Sequence, residues 1–390
     1  MRKSLVVLAL VGMVLLICSS SFAATSYVVT NDDNCVNASN TSSIYKLNTS
    51  TGALSLFQTL TTGGLGNCGG FFGGVQAGVT QSGSCLYIVD GGTSDIAGFK
   101  VSTLAKVGNY SNPAVNDAFP GGSIALTPNG KYLYVTYGGS ENIGAWKVNS
   151  DCSLTFINAY QASFGVDTYS GIVVDPTGKG LVVSVTDLGG LEVFAINAST
   201  GALTDLGSTN LDSLSGCANL GGCFPTGLDI SKKEQLFVGN ASGTANGLSA
   251  QMTASTPYFT HVTFIDLTNS EGLFNVESPW LGATAYNTGA GALYFGASGG
   301  ASEPGPGVLT TALSASGVTL GAVTPINNSP FLYDGVIRST GTWMVVSEWF
   351  DQLQVFTINS DGSLTATSQG PVVDANADGA LSFFIYPNTR

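Results

Sequence analysis

One phrase keeps returning along this 390-residue chain, and no other feature limits its fold as strongly. "LEVFAINASTGALTDLG" (191–207) is echoed by "LQVFTINSDGSL" (353–364), "IGAWKVNSDCSL" (143–154) and "IYKLNTSTGAL" (44–54). Each copy is a β-branched and aromatic run, a short polar turn and a second apolar run, the pattern of a hairpin. The phrase is half of a longer unit, whose fullest copy is "SIALTPNGKYLYVTYGGSENIGAWKVNSDCSLTFI" (123–157). That unit divides into a first strand at 123–126, a Thr-Pro-Asn-Gly turn, a second strand at 132–137, a polar loop, a third strand at 143–148, and a fourth starting at Ser153.

The second strand recurs as "YVVTN" (27–31), "LYIVD" (86–90), "LYVTY" (133–137), "LVVSV" (181–185), "LFVGN" (236–240), "LYFGA" (293–297) and "WMVVS" (343–347). A third strand is expected after each, with Val262–Leu267 and Val308–Leu313 the weakest matches. Seven four-stranded units at a period of about 50 residues predict an all-β, seven-bladed β-propeller with antiparallel blades. The first copy lacks an inner strand, and "GALSFFIYPN" (379–388) is left over at the other end. Ala380–Tyr386 is therefore expected to pair beside Tyr27–Asn31 and close the ring, so that 25–390 forms one domain.

Composition agrees with short strands and many tight turns: 52 glycines and only 9% charged residues. Residues 1–24 read as a signal peptide, with Arg2 and Lys3 before an apolar run and "SSSFAA" for cleavage. Cys18 follows the bulky Ile17, which does not fit a lipidation site. The expected location is secreted or periplasmic. Losing Arg2 and Lys3 moves the formal charge from −13 to −15, which argues against nucleic acid as a partner. No later apolar run is long enough for a transmembrane segment. Removal of Cys18 leaves six cysteines, an even number that predicts three disulfides among 15 possible pairings.

"LYVTYGGSENIGAWKVN", "PTGKGLVV" and "LEVFAINASTGAL" resemble the seven-bladed propellers of the lactonase family. That family includes 6-phosphogluconolactonases and the fungal 3-carboxymuconate-cyclising enzyme, and it merges with secreted surface proteins bearing YVTN-type repeats. The resemblance covers nearly all of the chain after the signal. It implies an active site on the face formed by the loops between second and third strands and by the connections between blades, here called the top. It also implies a Pro-Arg-His signature at the start of an inner strand. The matching stretch is "FPTGLDI", where Pro225 is kept but Thr226 and Gly227 replace the cation and the base. Arg338 aligns with Asp175, near the opposite face.

The candidate ligand-binding residues of the top are Asp90, Asp187, Asn240, Asp334, Glu348 and Trp349, with Asp32 in a like position and Phe350 beside Trp349. Carboxylates beside aromatics suit a sugar or a peptide. His261, the single histidine, is expected on the top just before the third strand of blade five, where it is the candidate general base. "DANADG" has the first half of a calcium loop in Asp374, Asn376 and Asp378, but Ile385 stands where the last ligand would be. Ca2+ is the one cofactor that a residue pattern raises. Seven Asn-X-Ser/Thr sequons, at Asn37, Asn40, Asn48, Asn109, Asn197, Asn240 and Asn327, are what chance gives in a chain this rich in those residues. Matching cysteines by face selects Cys35–Cys68 on the top, Cys85–Cys152 on the bottom and Cys217–Cys223 within one inter-blade loop. The functional expectation is an exported propeller that binds a small molecule, glycan or protein on its top face. The alternatives are a neutral-lactone hydrolase and a structural envelope or surface protein.

Overall fold

The computed structural model describes residues 26–35, 39–67, 78–115, 122–137, 142–165, 169–213, 222–230, 235–241, 245–250, 259–265, 273–277, 291–297, 307–314, 317–325, 337–340, 342–348, 351–377 and 382–386. Within them the chain forms seven antiparallel sheets. Blade one holds β1 (Ser26–Asn31), β2 (Thr41–Leu47) and β3 (Leu54–Thr61). Blade two is β4 (Val79–Ser82), β5 (Cys85–Asp90), β6 (Asp95–Lys100) and β7 (Lys106–Ser111). Blade three is β8 (Ile124–Leu126), β9 (Tyr132–Tyr137), β10 (Asn142–Val148) and β11 (Leu154–Tyr160). Blade four is β12 (Tyr169–Val174), β13 (Gly180–Val185), β14 (Gly190–Ile196) and β15 (Leu203–Asn210). Blade five is β16 (Pro225–Ile230), β17 (Gln235–Asn240), β18 (Ala245–Ala250) and β19 (Phe259–Ile265). Blade six is β20 (Leu273–Glu277), β21 (Gly291–Ala297), β22 (Gly307–Ser314) and β23 (Gly317–Pro325). Blade seven is β24 (Ile337–Ser339), β25 (Trp343–Glu348), β26 (Gln352–Ile358) and β27 (Leu364–Ala366), with β28 (Val372–Val373) also paired to β26.

The last strand, β29 (Ser382–Tyr386), completes blade one. It pairs antiparallel with β1, from Tyr27 opposite Tyr386 to Asn31 opposite Ser382. The inner strands then neighbour one another in the cycle β29, β4, β8, β12, β16, β20, β24 and back to β29. The second strands are the most buried, because each has a strand on both sides and a blade on both faces: Cys85–Asp90, Tyr132–Tyr137 and Gly180–Val185 are buried throughout. No helix among the described residues is long and apolar enough to cross a membrane.

The recurring phrase is the outer hairpin of a blade, and its turn has a fixed chemistry. In blade four Asn197 Oδ1 accepts from the backbone N–H of Ser199 and Thr200, and Gly201 N–H donates to Asn197 O at 2.8 Å, with Gly201 at φ +74°. Blade one repeats this with Asn48 and Gly52, at φ +72°. Glycine enters that left-handed region without a Cβ clash. In blades three and seven the turn is one residue shorter, closed by Cys152 N–H to Asn149 O at 3.0 Å and Gly362 N–H to Asn359 O at 2.9 Å, and the left-handed residue is Cys152 at φ +72° and Gly362 at φ +86°. Cys152 is disulfide-bonded to Cys85 at the start of β5, so the expected bond joins blades two and three at the bottom. Cys35 and Cys223 are also disulfide-bonded. Their expected partners, Cys68 and Cys217, lie outside the described residues.

The turns also receive the preceding blade. Tyr87 of blade two donates to Cys152 O of blade three at 3.3 Å. Tyr134 of blade three donates to Gly201 O of blade four at 2.9 Å, and Tyr294 of blade six to Gly362 O of blade seven at 2.6 Å. Trp343 Nε1 of blade seven reaches Thr49 O in the turn of blade one at 3.3 Å. Burial pushes all three tyrosine hydroxyls up, so they remain donors.

Blade five corrects one reading. Its third strand is Ala245–Ala250, "ANGLSA", and the stretch around Val262 belongs to the fourth strand, β19. The stronger β-formers of β19 favour that expectation, whereas β18 has Ala, Asn, Gly and Ser around a single Leu248 and is held in place by strands on both sides. In blade six the reading holds, because β22 covers Val308–Leu313.

Candidate functional site

The top face brings together ends of second strands, starts of inner strands and the loops between blades. At the seam of blades one and two the chain builds a polar network with Asn31, Asn40 and Asp90 buried at its centre and Asp95 and Asn109 half-buried at its edge. Asn40 Nδ2 donates to Asn31 Oδ1 at 2.7 Å and to Asp90 Oδ1 at 2.9 Å. Asn31 Nδ2 crosses to Val89 O at 2.8 Å. Asn109 Nδ2 reaches Asp95 Oδ1 at 3.0 Å and Asp90 Oδ2 at 3.5 Å. Gly64 packs on the Asp90 side chain so closely that a Cβ there would fall 2.4 Å from Oδ2. Burial pushes Asp90 up to about 8; hydrogen bonds from Thr62 and Asn40 pull it back, and Asp95, its cross-strand partner, adds to the rise. Asp90 thus keeps its proton because the low dielectric around it disfavours the carboxylate.

A second buried cluster lies where blade seven meets blade one. Asp32 accepts from Thr30 Oγ1, from Thr41 Oγ1 at 2.7 Å and from Ser43 Oγ at 3.2 Å. Ser43 Oγ also lies 3.1 Å from Asp374 Oδ1. Asn376 Nδ2 reaches Ser43 Oγ and Thr59 Oγ1, each at 3.3 Å. Burial first, and then the Asp374 carboxylate, push Asp32 up to about 6. Burial and the same carboxylate push the Tyr45 hydroxyl up. A third buried acid, Glu192 in β14, accepts from Ser163 Oγ at 2.7 Å and Phe164 N–H at 3.0 Å. Burial and nearby Asp205 raise it.

At the top ends of the inner strands the contacts seen among the described residues join neutral groups. Thr186 Oγ1 donates to Pro225 O at 2.8 Å, Ser184 Oγ to Thr226 O at 3.3 Å, and Gly78 N–H to Ser382 Oγ at 2.7 Å. Pro225 opens inner strand β16, and the buried Thr226 gives its hydroxyl to Gly239 O at 3.2 Å. Arg338 sits in β24 opposite Val345, one residue from the bottom end of that strand.

The predicted site residues divide accordingly. Asp90 and Asn240 end their second strands fully buried, while Asp187 is exposed in the turn after β13. Glu348 ends β25 opposite Gln352. Asp334, Trp349, Phe350 and Asp378 lie outside the described residues. His261 is corrected: it stands in the outermost strand of blade five opposite Ser249, toward the bottom end, and not in a top loop. The shift follows from the strand assignment above. Among the described residues no three of His, Cys, Asp and Glu gather as metal ligands. Sequence reasoning missed Glu192, Asp95, Asn40 and Ser43. Glu192 had a signal, a charge inside the apolar phrase "LEVF", where the related "LQVF" has the buried Gln354.

Residues 105–216, from β7 through blade four, match the family model described as Lactonase, 7-bladed beta-propeller. The fold extends over the chain in solved structures of low identity. A protein from Lactobacillus plantarum is similar with TM-score 0.68 and 14% identity, over 92% of this chain and 99% of the other. A candidate 6-phosphogluconolactonase from Bacteroides fragilis gives TM-score 0.66 and 16% identity, over 94% and 99%. The Pseudomonas aeruginosa periplasmic gluconolactonase PpgL gives 0.64 and 13%, over 92% and 99%. No curated protein matches the sequence. The chain is a seven-bladed β-propeller, similar to the lactonase family from the last strand of blade two through blade four.

Proposed function

We propose that this propeller is an exported binding protein whose top face takes a small molecule, a glycan or a protein partner. The observation that carries the reading is the start of β16. Where the resemblance calls for a cation and a base, Thr226 is buried with its hydroxyl given to Gly239 O, and Gly227 has no side chain to offer. A phosphorylated or polycarboxylate lactone needs cations to hold its anion and stabilise the oxyanion. At the start of β16 the neighbouring described groups are the hydroxyls of Ser184 and Thr186, already bonded across to Thr226 O and Pro225 O. Export goes with the Cys85–Cys152 bond, since disulfides persist in oxidising compartments.

A neutral-lactone hydrolase is the second reading, favoured by the likeness in fold to a periplasmic gluconolactonase. The test is turnover of 6-phosphogluconolactone and of unphosphorylated gluconolactone by the purified chain, alongside binding measurements on a glycan array. Binding without turnover above the uncatalysed rate supports the first reading. Rapid hydrolysis of either lactone rejects it. A His261→Ala variant then asks whether that residue, despite its place in β19, serves as the base.

A further inference from the structure

The cluster between blades seven and one is short of hydrogens. Ser43 Oγ contacts carboxylate oxygens of both Asp32 and Asp374 but has a single proton to donate. Asp374 is only 1% exposed, and apart from the neighbouring Tyr45 hydroxyl no donor is placed toward its Oδ2. Asn34 is tied to the same loop by its Nδ2, 3.4 Å from Asn376 O, and its buried Oδ1 lacks a partner. Both atoms are acceptor oxygens, and such atoms call for a positive charge or a donor. None of the hydrogen bonds made to Asp32 or Asp374 comes from a lysine or arginine.

The geometry points to a calcium site formed by Asp32, Ser43 and Asp374, with Asn34 beside it. All the side-chain donors are oxygen, the preference of a hard cation, and two carboxylates balance a double charge. Oxygens that share a calcium ion at 2.3–2.6 Å stand roughly 3 Å apart, the spacing of Ser43 Oγ from its two carboxylate neighbours. The site differs from a linear calcium loop, because Asp32 and Asp374 come from opposite ends of the chain. The ion would fasten blade seven to blade one at the seam that β29 closes.

The experiment uses the full chain freed of metal by a chelator and titrated with calcium chloride. Calorimetry is expected to find one ion per chain, and the melting temperature is expected to rise with the logarithm of calcium concentration once the site fills. Asp374→Asn keeps the shape of the side chain and is expected to abolish both effects. Terbium gives an independent readout, since Tyr45 adjoins Asp374 and would sensitise its luminescence. Tyr45→Phe is expected to cut that emission while calcium still binds one to one. The proposal is overturned if the wild type binds no calcium, if Asp374→Asn binds it as tightly as wild type, or if Tyr45→Phe leaves terbium emission unchanged. Should Asp374→Asn fail to fold, the terbium comparison decides.

Discussion

Asp90 shows how a single buried acid sets a pH dependence. Its folded value of about 8 stands above the ordinary 3.8, so between those limits the folded chain holds a proton that the unfolded chain has lost. The stabilisation is fully present below about 4 and disappears as pH rises through 8. Asp32, at about 6, acts in the same sense over a narrower window. Urea midpoints at pH 5, 7 and 9 are expected to fall for wild type, by roughly 2 kcal/mol or more in the Asp90 contribution. Asp90→Asn, which needs no proton, is expected to flatten the profile and to be the more stable protein at pH 9. Identical pH profiles for the two would reject this account. Nothing in "LYIVD" foretold it, because Asp90 owes its raised value first to burial by strands distant in the sequence, with Asp95 adding to it and Asn40 and Thr62 opposing it.

At the level of the element, the hairpin turn serves as a receptor for the blade before it. Replacing Tyr134 by Phe keeps the ring but leaves Gly201 O without its donor, and is expected to cost about 1 kcal/mol in chemical denaturation. Tyr294→Phe is expected to behave alike, and no change in either variant would show that the contact contributes nothing. The turn of blade three separates bond from backbone. Breaking Cys85–Cys152 is expected to cost about 2–4 kcal/mol. Within that loss, Cys85→Ala/Cys152→Gly is expected to exceed Cys85→Ala/Cys152→Ala in stability by about 1 kcal/mol, because only glycine sits at φ +72° without strain. Equal stabilities would mean that the turn relaxes once the bond is gone. The hairpins were legible because turn chemistry is local. Strand β18 was not, because "ANGLSA" carries little preference of its own and follows its neighbours.

For the molecule as a whole, the seven second strands could be read directly, since strands covered on every side need dense apolar sequence. Ring closure could be read as well, from one missing strand and one spare. The polar clusters could not, because each is assembled across a seam between blades. Deleting residues from Ser382 onward is expected to abolish the cooperative melt of the wild type, and a truncated chain that melts like wild type would show the pairing of β29 with β1 to be dispensable. That pairing also orders the chain in time. Of the propeller's strands, β1 and its hairpin are made before the rest, yet the strand that belongs at their inner edge follows the other six blades. Blade one therefore waits until those blades have been made, and a product that stops short of β29 never completes the ring. A lesion in the codons of β29 reaches the first blade as directly as a lesion within it.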